Sequence, residues 1–197
     1  MPVHYEQRGQ IGLITIDRPD RRGAMNEEAY AQLAEAWRRV IATSSVRVAV
    51  ITGVDDSYCA GADLKEFIPK VASAARAKQA ITADSAGVGP ADLAPSTEEP
   101  GQISDGQLAV LRNLVFPKPI VAAVNGPCVA SGMEMLLGTD IRLASPDAVF
   151  GLPEVCRGLF ASGGSTVRLP RQIPLAHAMD LLLTGRYVAA DEALRMG

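Results

Sequence analysis

Ile120-Val121-Ala122-Ala123-Val124-Asn125-Gly126-Pro127-Cys128-Val129-Ala130-Ser131-Gly132-Met133-Glu134 is the stretch on which the fold is decided. Its first five residues are continuously apolar, as in a strand buried in a sheet core. Asn125-Gly126-Pro127 then turns the chain, and Ala130-Ser131-Gly132 offers small residues before an apolar helix through Met135, Leu136 and Leu137. The same plan appears earlier. Ile51-Thr52-Gly53 ends a β-branched run over residues 46–52, a tight loop follows, and Ala60-Gly61-Ala62 precedes a helix from Asp63 onward. Two strand–turn–helix units of one design point to an α/β protein.

Working outward, Ile11-Gly12-Leu13-Ile14-Thr15-Ile16 follows the turn-like Gly9-Gln10 and pairs as a hairpin with residues 3–7. Asp17-Arg18-Pro19-Asp20 breaks it. Asn26 is suited to cap a helix, with Glu27 and Glu28 in the first turn where the dipole favours acids. Tyr30, Leu33, Ala34, Trp37, Val40 and Ile41 continue at helical spacing towards Arg38-Arg39. Residues 68–108 differ. An Ala-rich helix is expected over 72–83, and residues 85–104, with Gly87, Gly89, Pro90, Pro95, Pro100 and Gly101, read as a loop. Such a loop serves as a lid or substrate segment, or is simply disordered. No repeat of fixed period is present.

At 197 residues the chain fits one domain with a sizeable core. With 48% hydrophobic and 21% charged residues the composition is globular, and a net charge of −3 gives a nucleic-acid partner no electrostatic support. No apolar run approaches the ~20 residues of a membrane helix, and Met1-Pro2-Val3-His4-Tyr5-Glu6 lacks the pattern of a signal peptide. Cys59, Cys128 and Cys156 are odd in number and widely spaced, which argues for reduced thiols and a cytoplasmic protein. With His4 and His177 as the two histidines, no metal site is expected.

The chemistry gathers at the two loops. Small residues let a ligand approach the backbone, and two helix-start N–H groups converging on one oxygen make an oxyanion hole. The second loop also delivers Glu134, and Val149-Phe150-Gly151-Leu152-Pro153-Glu154 sets another acid in apolar surroundings. Two carboxyls in a dry pocket share acid/base work when desolvation and repulsion separate their pKa values. Taken singly, each loop reads as packing, Glu134 as a dipole-complementing acid and Glu154 as a surface-loop residue. No G-x-S-x-G elbow, P-loop or G-x-G-x-x-G is present. A two-carboxylate glycosidase leaves both loops unexplained and has few aromatics, at 5%, to stack sugars. Met133, Met135 and Leu136 read as core, Cys59 and Cys128 as small buried side chains. Gly163-Gly164-Ser165 opens a further helix and suggests an anion site.

Arg18-Pro19, ITG…CAGADLKEF (residues 51–67), KPIVAAVNG (118–126), Glu134, TDIRLAS (139–145), FGLPE (150–154) and GG-T-RLPR (163–171) together resemble the enoyl-CoA hydratase (crotonase) superfamily, in order and spacing along the whole chain. The resemblance implies a spiral of ββα turns in a single core domain over residues 1–197, with residues 68–108 near the acyl pocket. The family's further carboxy-terminal helices, which help close the CoA site and the trimer, would follow Asp191–Gly197, so the fold expected lacks them. It further implies an acyl-CoA or enoyl-CoA partner, a homotrimer or dimer of trimers, and no cofactor beyond the CoA of the substrate. Ala62 and Ser131 match the positions whose N–H groups hold the thioester oxygen, and Glu134 and Glu154 the two catalytic glutamates of hydratases. Ala24, Ala60, Asp63 and Leu64 match the positions that contact CoA. The activity implied is hydration of the 2,3 double bond of an enoyl-CoA, of the fatty-acid β-oxidation type. Alternatives are double-bond isomerisation or other crotonase chemistry, and an idle acyl-CoA-binding or assembly subunit. Two positions depart from the family: Ala130-Ser131-Gly132 stands for Gly-Gly-Gly, and Gly23 for the usual Asn after Arg-Pro.

Overall fold

In the computed structural model, which describes residues 1–66, 69 and 103–197, Val3–Arg8 (β1) and Ile11–Ile16 (β2) form the expected hairpin. Pairing runs from Val3 opposite Ile16 to Arg8 opposite Ile11, and Gly9 supplies the positive φ (60°) that the turn requires. The helix expected over 72–83 and nearly all of the loop expected over 85–104 lie outside the described residues.

A parallel neighbour for β2 demands a crossover, and Glu27–Ala42 (α1) provides it. The Asn26 side chain accepts from the Ala29 N–H at 3.0 Å, so the cap is where the sequence placed it. Ala29, Leu33, Ala34, Ala36, Trp37 and Val40 form the buried face. Trp37 is fully buried, stands edge-on to Phe116 at 5.4 Å, and donates its indole N–H to the Ala109 carbonyl at 3.2 Å. Ala109 ends a short helix, Asp105–Ala109 (α2), capped by Ser104.

Val48–Gly53 (β3), Ile120–Val124 (β4) and Ile141–Ala144 (β6) continue the sheet in parallel, in the order β1-β2-β3-β4-β6. Both β3 and β4 alternate buried with half-buried residues rather than being buried on both faces. One face carries the core (Ala49, Ile51, Ile120, Ala122, Val124), and the other is only partly covered. The edge strand β6 is exposed throughout.

A second sheet of Cys128–Val129 (β5), Val149–Gly151 (β7) and Tyr187–Ala189 (β8) lies beyond the turn that follows β4. β5 and β7 are parallel, β7 and β8 antiparallel. Helices Ser131–Leu136 (α3), Ser165–Gln172 (α4), Leu175–Thr184 (α5) and Ala190–Met196 (α6) pack around this sheet, and short 3-10 turns form at Pro19–Arg21 and Val155–Arg157. Apolar side chains of α3, α4, α5 and α6 with Phe150 and Val188 line a concavity of about 570 Å³ that contains neither Glu134 nor Glu154. No helix among the described residues is long and apolar enough to cross a membrane. All three cysteines are free, with Cys59 and Cys128 buried and Cys156 exposed.

Candidate active site

The two loops singled out in the sequence are pressed backbone to backbone. Cys59 and Cys128 form a parallel β-bridge, in which Val129 donates to the Cys59 carbonyl at 3.0 Å. Asn125 fastens the strand ends: its Nδ2 donates to the carbonyls of Gly53 (3.0 Å) and Asp55 (2.9 Å), and its Oδ1 accepts from the Gly53 N–H at 3.2 Å. Side chains would prevent this approach. A Cβ on Gly132 would meet the Cys59 Cβ at 2.8 Å, and one on Gly61 would meet the Ala130 Cβ at 2.7 Å and the Ser131 nitrogen at 3.6 Å. Small residues at this junction are therefore a packing requirement, and packing is what brings Gly61, next to Ala62, against the backbone of Ala130 and Ser131.

The local hydrogen bonding leaves both N–H groups available. Met25 and Ala62 form a parallel bridge that uses the N–H groups of Met25 (to Gly61, 2.7 Å) and Asp63 (to Met25, 2.8 Å), so the Ala62 N–H points away from it. Ser131 is the first residue of α3, where intrahelical partners do not exist. Among the described residues neither N–H donates a hydrogen bond. Ala130, just before, has φ 50° and ψ −125°, a conformation that L side chains rarely adopt. The Gly-to-Ala departure thus falls on the one residue of the triplet that needs a glycine-like backbone. The Ser131 hydroxyl accepts a hydrogen bond from the Tyr30 hydroxyl of α1 at 2.9 Å.

Glu134 is buried, 6% exposed. Its Oε1 accepts from the Gly163 N–H at 2.6 Å and from the Ser165 hydroxyl at 3.0 Å. Burial raises its pKa, and the donors of Ser165 and Gly163 and the charge of Arg112 oppose that rise. Glu154 follows β7 and begins the 3-10 turn Val155–Arg157. Its Oε2 is buried without a hydrogen-bond partner among the described residues. Burial pushes its pKa up to about 7, with the negative charge of Glu134 adding to the effect. Tyr30 is raised too, first by burial, and it feels the charges of Cys59, Glu134 and Glu154. Both carboxyls and the Tyr30–Ser131 pair therefore share one electrostatic neighbourhood.

The four residues matched to CoA contacts lie together on the Arg18 side of the first loop. The Arg18 guanidinium donates to the Ala24 carbonyl and contacts the Asp63 carboxylate at 3.3 Å. Ala60 donates its N–H to the Arg22 carbonyl at 3.0 Å. The Asp63 carboxylate also accepts from the Lys65 N–H at 3.2 Å, so it caps the helical residues 64–66, and Leu64 is exposed. Asp63 thus builds the loop with its side chain. Among the described residues no group of three or more His, Cys, Asp or Glu could hold a metal.

In the sequence Tyr30 belongs to the apolar helical stripe, and nothing local pairs it with Ser131, 101 positions away. The Gly163-Gly164-Ser165 segment was legible as an anion site. The group it receives is the chain's own Glu134 carboxyl.

The sequence matches the family described as enoyl-CoA hydratase/isomerase over residues 6–88 and 92–197. It is 40% identical to enoyl-CoA hydratase EchA19 of Mycobacterium tuberculosis across 98% of this chain and 64% of that protein. It is 37% identical to (E)-benzylidenesuccinyl-CoA hydratase of Thauera aromatica across 100% of this chain and 68% of that protein. The crystal structure of enoyl-CoA hydratase EchA1 from Mycobacterium marinum superposes with a TM-score of 0.78 at 36% identity, covering 100% of this chain and 66% of that one. The chain spans about two thirds of the length of these relatives.

Proposed function

Because the chain belongs to the enoyl-CoA hydratase/isomerase family, we propose that its site adds water across the 2,3 double bond of an enoyl-CoA thioester. One observation carries the reading. Two carboxyls in unequal surroundings share an electrostatic neighbourhood with the Ser131 helix start, and among the described residues the Ala62 and Ser131 N–H groups donate to nothing.

The Ala62 and Ser131 N–H groups take the thioester oxygen, and the Glu134 carboxylate removes a proton from a water whose oxygen bonds to C3. The π electrons move through C2 onto the thioester oxygen, where the two N–H groups stabilise the enolate. The loss of one such donor costs about 3 kcal/mol of barrier. As the carbonyl re-forms, the Glu154 carboxyl gives its proton to C2. Glu134 ends protonated and Glu154 ionised, and one proton transfer restores the pair. A pKa near 7 suits Glu154 to this task, since a general acid works best near ambient pH. No group beyond the CoA of the substrate takes part in these steps.

Ala24, Ala60, Asp63 and Leu64 are assigned to the CoA moiety, on the side of the loop opened by Arg18. Exposed apolar side chains on β6 (Ile141, Leu143), α5 (Leu175, Leu183) and α6 (Leu194) support assembly into a homotrimer or dimer of trimers. A cytoplasmic location and a place in fatty-acid oxidation complete the proposal. Buried free thiols suit the first.

The test is incubation with crotonyl-CoA while the absorbance of the conjugated thioester is followed. Hydration is expected in the wild type and is lost in Glu134→Gln and in Glu154→Gln. Unchanged turnover in either variant overturns the assignment. Positional isomers without hydrated product would favour isomerisation. Thermal stabilisation by acyl-CoA without turnover would favour an idle binder.

A further inference from the structure

Glu134 and Glu154 are the same chemical group, both pushed towards the neutral form by burial. Hydration requires one of them ionised and the other protonated, and the chain must hold that assignment against its reverse. The difference lies in what each carboxyl touches. Glu154 leaves Oε2 buried with no partner among the described residues. Glu134 instead faces the opening of α4, where Gly163 and Ser165 both donate to Oε1. Ser165 is completely buried, so its hydroxyl has no water to turn to. The absence of a side chain on Gly163 makes the cradle: a Cβ there would overlap the Glu134 Oε2 and lie 2.7 Å from its Cδ.

We propose that Ser165 is a positioning residue for the Glu134 carboxylate, its hydroxyl fixing Oε1 so that Oε2 serves the substrate water and Glu134 is the ionised member of the pair. A hydroxyl and an N–H aimed at one oxygen favour the anion over the neutral acid, because hydrogen bonds to an ionised acceptor are shorter and about twice as strong. The start of the eight-residue α4 adds the positive end of its dipole. Other groups facing Glu134 are Arg168 on α4, which donates to the Glu134 backbone carbonyl at 3.1 Å, Arg112 beyond α2, Glu154 beyond β7 and Tyr30 on α1. Of these, the arginines favour the anion and Glu154, when ionised, opposes it. The inference rests on the hydratase reading for the role of Glu134, but not for the hydrogen bond itself.

Ser165→Ala removes the hydroxyl with a minimal change in volume. The Glu134 carboxyl is then expected to titrate at higher pH, the acidic limb of kcat/KM for crotonyl-CoA moves to higher pH, and kcat at neutral pH falls at least about tenfold. Ser165→Thr, which keeps the hydroxyl, restores the limb. The carboxyl is also followed without turnover, by 13C NMR of protein labelled at the glutamate Cδ, with the Glu134 resonance identified by its loss in Glu134→Gln. A Glu134 midpoint that stays put in Ser165→Ala overturns the proposal, with or without activity. Hydration that survives Glu134→Gln overturns the reading of the base instead, so the two failures are told apart.

Discussion

Replacing Gly163 by alanine should give a protein that folds normally and turns over poorly. Gly163 is not among the residues with positive φ, so an L side chain suits its backbone. At such a site Gly→Ala stabilises by about 0.4–1 kcal/mol through the unfolded state. That gain is offset by the contact the new methyl makes. Its Cβ would overlap the Glu134 Oε2 and sit 2.7 Å from Cδ, whereas ordinary contact begins at 3.4 Å, so the carboxyl must retreat by about 1 Å. The side chain can do so by rotating, which loosens its bonds to Gly163 and the buried Ser165 and leaves a net loss of about 1–3 kcal/mol, short of unfolding. Its catalytic geometry cannot be kept. A shift approaching 1 Å at a reacting group costs about 100-fold, or about 2.7 kcal/mol of barrier. The measurement pairs the crotonyl-CoA hydration rate with urea unfolding of the same preparation. Gly106→Ala is the control, since a Cβ there meets nothing within 4 Å. Gly163→Ala with wild-type kcat would refute the reasoning. So would a variant whose activity falls only because it has unfolded.

Ala130→Gly should stabilise the chain. The φ 50°, ψ −125° backbone costs about 1–3 kcal/mol for a residue with a Cβ, and glycine gives back about 0.5–1 kcal/mol in unfolded-state entropy. The expected gain is a rise of a few degrees in the thermal midpoint, and a lowered midpoint would contradict it. Stability should also decline as pH rises. Glu154 has its pKa raised to about 7 from 4.5, so folding binds a proton, and its contribution is complete below the ordinary carboxyl range and lost as pH climbs through 7. Urea titrations should therefore find Glu154→Gln equal to wild type at pH 4 and more stable at pH 8, by up to about 3 kcal/mol. Equal stability at pH 8 would mean that Glu154 is not held in dry surroundings.

Much of the first sheet is legible because its signals are local. The hairpin of β1 and β2, the Asn26 cap with the apolar stripe of α1, and the limits of β4 each follow from spacing within a dozen residues. The strands of the second sheet escape this reading, since β5, β7 and β8 have two or three residues each and so carry no period. For the same reason α2, five residues beside a stretch read as loop, was not foreseen. The family motifs supplied what periodicity could not.

By itself the sequence determined that Glu134 opens a helix after a small-residue turn and that Glu154 is set in apolar surroundings. Each then had an ordinary structural explanation. The tertiary structure decided which polar groups meet them: Ser165 and Gly163 reach Glu134 across 31 and 29 positions, and Tyr30 reaches Ser131 across 101. It also decided that Glu154 keeps a buried oxygen without a described partner. Hydrophobic period is a property of neighbouring residues, whereas the proton affinity of a carboxyl depends on the water it has lost and the dipoles aimed at it. Those are fixed only when distant segments pack.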